Sequence, residues 1–124
     1  MNLFLTEDGV LKLGAYGLTT QAECYGIEGM NCDGIRSFAP EVFRGEYEMK
    51  SDVWSLGTVL IEMMGIRPYA GYSESRFPTK TGNCFSPFDV DAIESASLTN
   101  FLKKCFREYD RWSASELMDV SVMG

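Results

Sequence analysis

A chain of 124 residues with a formal net charge of −7 and a pI near 4.5 has the length of about one domain, which hides roughly two-thirds of its unfolded surface. The acidic balance argues against nucleic acid and anionic membranes as partners. With no histidine and no CxxC pairing among Cys24, Cys32, Cys84 and Cys105, a zinc site and a Ser/His or Cys/His nucleophile are excluded, and the thiols are expected to be reduced.

A hydrophobic content of 45% with 23% charged residues is that of a soluble globular protein. No apolar run reaches the roughly 18 residues that cross a bilayer, and the N-terminus has no basic segment followed by a small-residue cleavage site. The expected location is the cytoplasm. No metal is expected in this chain.

In chain order, Asn2 to Leu18 read as a β-hairpin, with Leu3, Phe4 and Leu5 leading into the turn Thr6-Glu7-Asp8-Gly9 and Val10 to Leu13 returning. From Thr19 to Phe38 the periodicity vanishes and glycines gather, which describes a long loop that is functional or mobile. The stretch SDVWSLGTVLIEMMG, Ser51 to Gly65, predicts a helix with Ser51 as N-cap, Asp52 in the first turn and Gly65 as the stop. Its apolar residues Val53, Trp54, Leu56, Val59, Leu60, Ile61, Met63 and Met64 cover most of the circumference, so burial on several sides is expected. Arg67 to Phe88 hold three of the four prolines and read mostly as loop. Leu98, Phe101, Leu102, Cys105 and Phe106 then recur at helical spacing, and Ser113 with Glu116 fits a capping box that opens a last short helix.

Four landmarks fall in order: Asn2 before the hairpin, GAYG at Gly14 to Gly17 after it, APE at Ala39, Pro40 and Glu41, and SDVWSLG at Ser51 to Gly57. Together they resemble the C-terminal lobe of a eukaryotic protein kinase, in which the catalytic loop ends in a metal-binding Asn, DFG follows the next hairpin and APE closes the activation segment. The resemblance runs from Asn2 to the end of the chain. It implies a mainly α (α+β) fold in which a short β-hairpin leads into an activation-segment loop and then a helical subdomain.

The same resemblance implies roles for single residues. Asn2 takes the Mg²⁺-binding Asn position, of use only in a complete kinase, and Ala15, Tyr16 and Gly17 match D, F and G. Asp52 would reach back to hold the catalytic-loop backbone; the alternative is that it only complements the helix dipole. Arg111 looks like the family's late arginine, which pairs with the APE glutamate, here Glu41; Trp54 belongs to the same structural set. Gly17, Thr19, Thr20, Ser37, Ala39, Pro40 and Glu41 fall in the activation segment. Thr19, Thr20, Tyr25 and Ser37 carry hydroxyls open to phosphorylation, and ordinary solvated loop residues are the alternative.

Where the family has an Asp that holds Mg²⁺ against the phosphates, Ala15 offers a methyl group, which coordinates nothing. A clamp supplying several kcal/mol is lost with it, on the order of a thousandfold in rate. Natural drift and deliberate inactivation both fit. A departure also stands in the activation segment, where Gly34 or Ile35 occupies the place of a threonine that touches the catalytic loop in most Ser/Thr kinases.

No Gly-rich loop, strand lysine or His-Arg-Asp precedes Asn2, so the expectation over residues 1–124 is a partial, truncated kinase domain without the N-lobe. Its parent would transfer phosphate from ATP, with Mg²⁺, to protein Ser/Thr. SDVWSLGTVLIEM resembles Ser/Thr kinases, especially the Ste20 and MAP kinase kinase groups, more than tyrosine kinases. This chain alone is expected to be inactive and to need no cofactor. The alternative is a pseudokinase-type binding or scaffold module. Expected partners are a protein substrate, a partner kinase or scaffold, or a second copy held through exposed apolar surface.

Overall fold

The computed structural model describes residues 3–14, 36–70 and 87–120. Strands Leu3–Leu5 (β1) and Leu11–Leu13 (β2) pair antiparallel, with Leu3 opposite Leu13, Phe4 opposite Lys12 and Leu5 opposite Leu11. The connecting turn closes through Thr6, whose backbone N–H donates to the Val10 carbonyl at 2.9 Å and whose hydroxyl accepts from the Val10 N–H at 2.9 Å. Gly9 sits at φ +81°, a conformation open to glycine at little cost.

Helix α1 spans Pro40–Phe43. Proline suits its first position because the missing N–H has no intrahelical acceptor there. The helix stops at Gly45, φ +80°, and the Glu46 N–H returns to the Glu41 carbonyl at 2.9 Å. The long helix α2 covers Ser51–Met63. It ends in the same way, with Gly65 at φ +80° and the Ile66 N–H on the Ile61 carbonyl at 3.2 Å.

Two expectations for α2 need correction. Lys50, not Ser51, is its N-cap, and no side chain caps it. The Ser51 hydroxyl is engaged elsewhere: it donates to Glu41 at 2.8 Å and accepts from the Glu48 N–H at 3.3 Å. Nor is the helix buried all round. Val53, Trp54, Gly57, Thr58 and Ile61 are buried, whereas Asp52, Leu56 and Met63 lie exposed on the opposite side. These three fall at i, i+4 and i+11, one stripe of a 3.6-residue helix. Composition counted the apolar residues; it could not say which face has a neighbour.

A 3₁₀ turn at Val90–Ala92 precedes helix α3, Ala96–Cys105. The Asp89 carboxylate accepts from the Asp91 N–H, and the Ser95 hydroxyl from the Leu98 N–H, so each start is capped by its own side chain. Phe101, Leu102 and Cys105 form the buried face of α3. Helix α4, Ala114–Leu117, opens on a complete capping box in which the Ser113 N–H donates to Glu116 at 2.6 Å and the Glu116 N–H to the Ser113 hydroxyl at 3.3 Å.

Among the described residues the core has two parts, divided by α2. Trp54 packs with Phe38, Ala39, Val42 and Tyr69 on one side, and Val53 with Phe101, Cys105 and Leu117 on the other. Phe106 touches both. Its ring meets Trp54 edge-on with centroids 5.1 Å apart. Burial drives the Cys105 thiol up to about 12, against a small opposing pull from Arg111. At neutral pH that group is therefore an inert thiol, as expected of a small buried hydrophobe. Cys24, Cys32 and Cys84 lie outside the described residues.

Close contact of α2 with the end of α3 depends on Gly57. A Cβ built there would stand 2.7 Å from Phe106 Cε1 and 3.0 Å from Cys105 Cβ. In an open helix, glycine to alanine gains about 1 kcal/mol from propensity. Here the added methyl forces the wedged Phe106 ring off Trp54, an overpacking that costs about 1–3 kcal/mol. Gly57→Ala is therefore expected to destabilise the chain in urea denaturation. A stabilised variant would show that Phe106 moves aside freely.

Candidate functional site

Arg111 is buried, with 3% of its side chain exposed, and faces Glu41, which is 6% exposed, from a position 70 residues away. The contact is a two-pronged one: Nη1 donates to Oε1 at 2.5 Å and Nη2 to Oε2 at 3.0 Å. Planar guanidinium and carboxylate match each other in this geometry, which lysine cannot reproduce. Two more of its five N–H donors are also used. Nε donates to the Arg107 carbonyl at 2.8 Å, and Nη1 also reaches the Lys50 carbonyl at 3.0 Å. The guanidinium carbon lies 5.0 Å from the centre of the Trp54 ring, a cation–π arrangement.

Each partner is delivered by a local feature. Glu41 is the second residue of α1, placed by the proline start, and its carboxylate faces inward towards Ser51 at the start of α2. Arg111 follows Asp110, whose φ of +55° turns the chain after Phe106 back towards α1. Desolvation by burial would raise the Glu41 pKa. Hydrogen bonds from Arg111 and Ser51 and the positive charge of Arg111 outweigh it, and the carboxyl is held below its ordinary 4.5.

Above this pair lies an open polar cleft of about 220 Å³, edged by Arg44, Glu46, Glu48, Lys50, Glu108 and Tyr109. Arg44 bridges two of its carboxylates, Glu108 at 3.1 Å and Glu46 at 3.6 Å. These surface pairs are partly solvated and each contributes little.

The structure thus brings Glu41, Arg111 and Trp54 into one cluster, flanked by Ala39, which is fully buried, and Ser37, whose carbonyl accepts from the Ser55 hydroxyl at 2.7 Å. Pro40 is buried at the head of α1. Asp52 is exposed in the first turn of α2. Asn2, Ala15, Gly17, Thr19, Thr20 and Tyr25 lie outside the described residues. Among the described residues no group of three His, Cys, Asp or Glu side chains is placed to hold a metal ion, and no helix is long and apolar enough to cross a membrane. The residues whose part in this cluster went unforeseen are Ser51 and Lys50. Ser51 was read as a cap, and a backbone carbonyl such as that of Lys50 has no sequence signal.

Removing one member of a buried ion pair leaves the other charge uncompensated, which costs about 3–5 kcal/mol. Arg111→Met is expected to lose stability of that order in urea at pH 7, and Glu41→Gln combined with Arg111→Met less than the sum of the two single changes. Because the folded-state pKa of Glu41 lies below its ordinary 4.5, its contribution is complete above that pH. It is lost as the pH falls through the lower folded value. Glu41→Gln should therefore flatten the acid limb of the stability curve, and an unchanged limb would remove Glu41 from the pair's energetics.

The profile of the family described as protein tyrosine and serine/threonine kinase matches residues 1–119. Among curated proteins, the chain is 35% identical to the human mitogen-activated protein kinase kinase kinase 4 over 97% of its own length and 8% of that protein's. It is 31% identical to the serine/threonine-protein kinase pakH of Dictyostelium discoideum over 95% of the chain and 24% of the relative. An insulin-like receptor of Caenorhabditis elegans is 35% identical over 58% of the chain and 4% of its own length. The chain thus spans a quarter or less of each of these relatives. On the match over residues 1–119, the chain belongs to the protein tyrosine and serine/threonine kinase family.

Proposed function

We propose that this chain is the C-terminal-lobe portion of a Ser/Thr protein kinase domain, running from the end of the catalytic loop onward, and that it does not itself transfer phosphate. The observation that carries this reading is the buried Glu41–Arg111 pair, which ties the APE segment to the late arginine as the family pattern demands. Two relatives named for Ser/Thr or MAP kinase kinase kinase activity support the Ser/Thr class.

On this reading Ala15 stands at the metal-binding Asp position and Asn2 at the metal-binding Asn position. An amide beside a methyl group does not make a magnesium clamp, because the Asn ligand works together with a carboxylate that Ala15 lacks. The donor set does not fit the ion, and no phosphoryl-transfer step is assigned to these residues. What the chain's own residues do is structural: Glu41 and Arg111 fix the end of the activation segment against α2, and Asp52 stands ready at the start of that helix for a catalytic-loop backbone.

A thermal-shift titration of this chain with Mg-ATP is expected to give no saturable, Mg²⁺-dependent rise in Tm. Such a rise would overturn the inactive reading. In a full-length parent, Ala15→Asp is expected to restore or raise phosphate transfer; a parent that stays silent would place the defect elsewhere.

A second reading, a binding module, is favoured by the hairpin. Phe4, Leu5, Val10, Leu11 and Leu13 are between 52% and 71% exposed. A two-stranded sheet is marginal in water unless something covers a face. The expected outcome of size-exclusion chromatography is an oligomer, or a species that binds an apolar dye. A compact monomer that binds none would remove this reading.

A further inference from the structure

We propose that the Pro68–Tyr69 peptide unit is a two-state switch locked by Arg36, coupling the stretch before Pro40 to the segment at Pro87. Arg67 to Ala70 form a turn closed by the Ala70 N–H on the Arg67 carbonyl at 3.2 Å. Proline takes its second position, and Tyr69 takes the third at φ +56°. This is the pattern of a type II turn, whose third position ordinarily takes glycine or asparagine. For a bulky residue that conformation is an outlier, held only where the surroundings over-determine it.

Both polar ends of the peptide unit are held. The Pro68 carbonyl accepts from Arg36 Nη1 at 3.0 Å, and the Tyr69 N–H donates to the Pro87 carbonyl at 2.8 Å. Arg36 is buried at 6% exposure and Tyr69 at 1%. The Tyr69 ring packs in the same cluster as Phe38 and Ala39, the residues that follow Arg36 towards α1.

A type I turn differs from type II chiefly by a flip of the central peptide, and it returns the third residue to negative φ. The flip would relieve Tyr69 and break both bonds in one motion, leaving the buried guanidinium of Arg36 without this acceptor. The two states therefore differ by a backbone strain on one side and two buried hydrogen bonds on the other. Arg36 sets the balance, and whatever displaces the stretch before Pro40 also releases the hold on Pro87.

Native-state hydrogen exchange on the 124-residue chain tests this. A charge-assisted buried hydrogen bond is strong enough that Arg36→Met should speed exchange at the Tyr69 amide by about tenfold or more relative to Ile61 and Leu102. Arg36→Gln keeps a donor and should retain most of the protection. Unchanged Tyr69 exchange in Arg36→Met, or an equal rise at Ile61 and Leu102, overturns the proposal. A second measurement needs no variant and stands if Arg36→Met does not fold. In low urea the unaltered Tyr69 amide should show a flatter dependence than Ile61, because a peptide flip exposes little surface. Identical slopes at the two amides would refute the switch.

Discussion

A guanidinium removed from water must be compensated on every side, and the burial of Arg111 imposes that condition on the rest of the fold. The protein therefore has to bring a carboxylate and further acceptors to it. Glu41 can serve only if α1 begins at Pro40. The Lys50 carbonyl can serve only if α2 begins where it does, and the Arg107 carbonyl only if the chain turns after α3. Trp54 covers the flat face of the same cation. One buried charge thus sets the mutual placement of three helices, which apolar contact alone would leave free to slide.

Much of this order was legible in the sequence, for reasons that differ between elements. The α2 helix could be read because it is long, periodic and stopped by glycine, and the capping box at Ser113 because its two members are near in sequence. Short α1 was missed as a helix although Pro40 at its first position was a usable signal. The 3₁₀ turn at Val90–Ala92 was missed because three residues have no periodicity to read. Burial of α2 was overestimated, since Leu56 and Met63 are apolar yet exposed beside Asp52. The Glu41–Arg111 contact spans 70 residues. No local pattern signals a pair at that separation, and only likeness to a kinase lobe suggested it.

The described part of the chain belongs to a kinase domain, and the contacts that hold it together differ in kind from those that phosphate transfer needs. This division has a physical basis. Ion pairs, caps and aromatic packing are satisfied by groups within residues 36–120, so they persist without a ligand. Phosphoryl transfer is positioning and charge neutralisation, and it needs donors converging on the reacting phosphate from several elements. A chain can therefore keep one set while lacking the other.

The tight approach at Gly57 has a consequence at the level of inheritance. Every glycine codon begins with two guanines, and every amino acid that a single base change can put in its place has a β-carbon. Each such missense change sets that carbon against the Phe106 ring and the Cys105 side chain. Missense change at this position is thus penalised through its codon as well as its geometry, whereas Met63 and Met118 are 72% and 86% exposed.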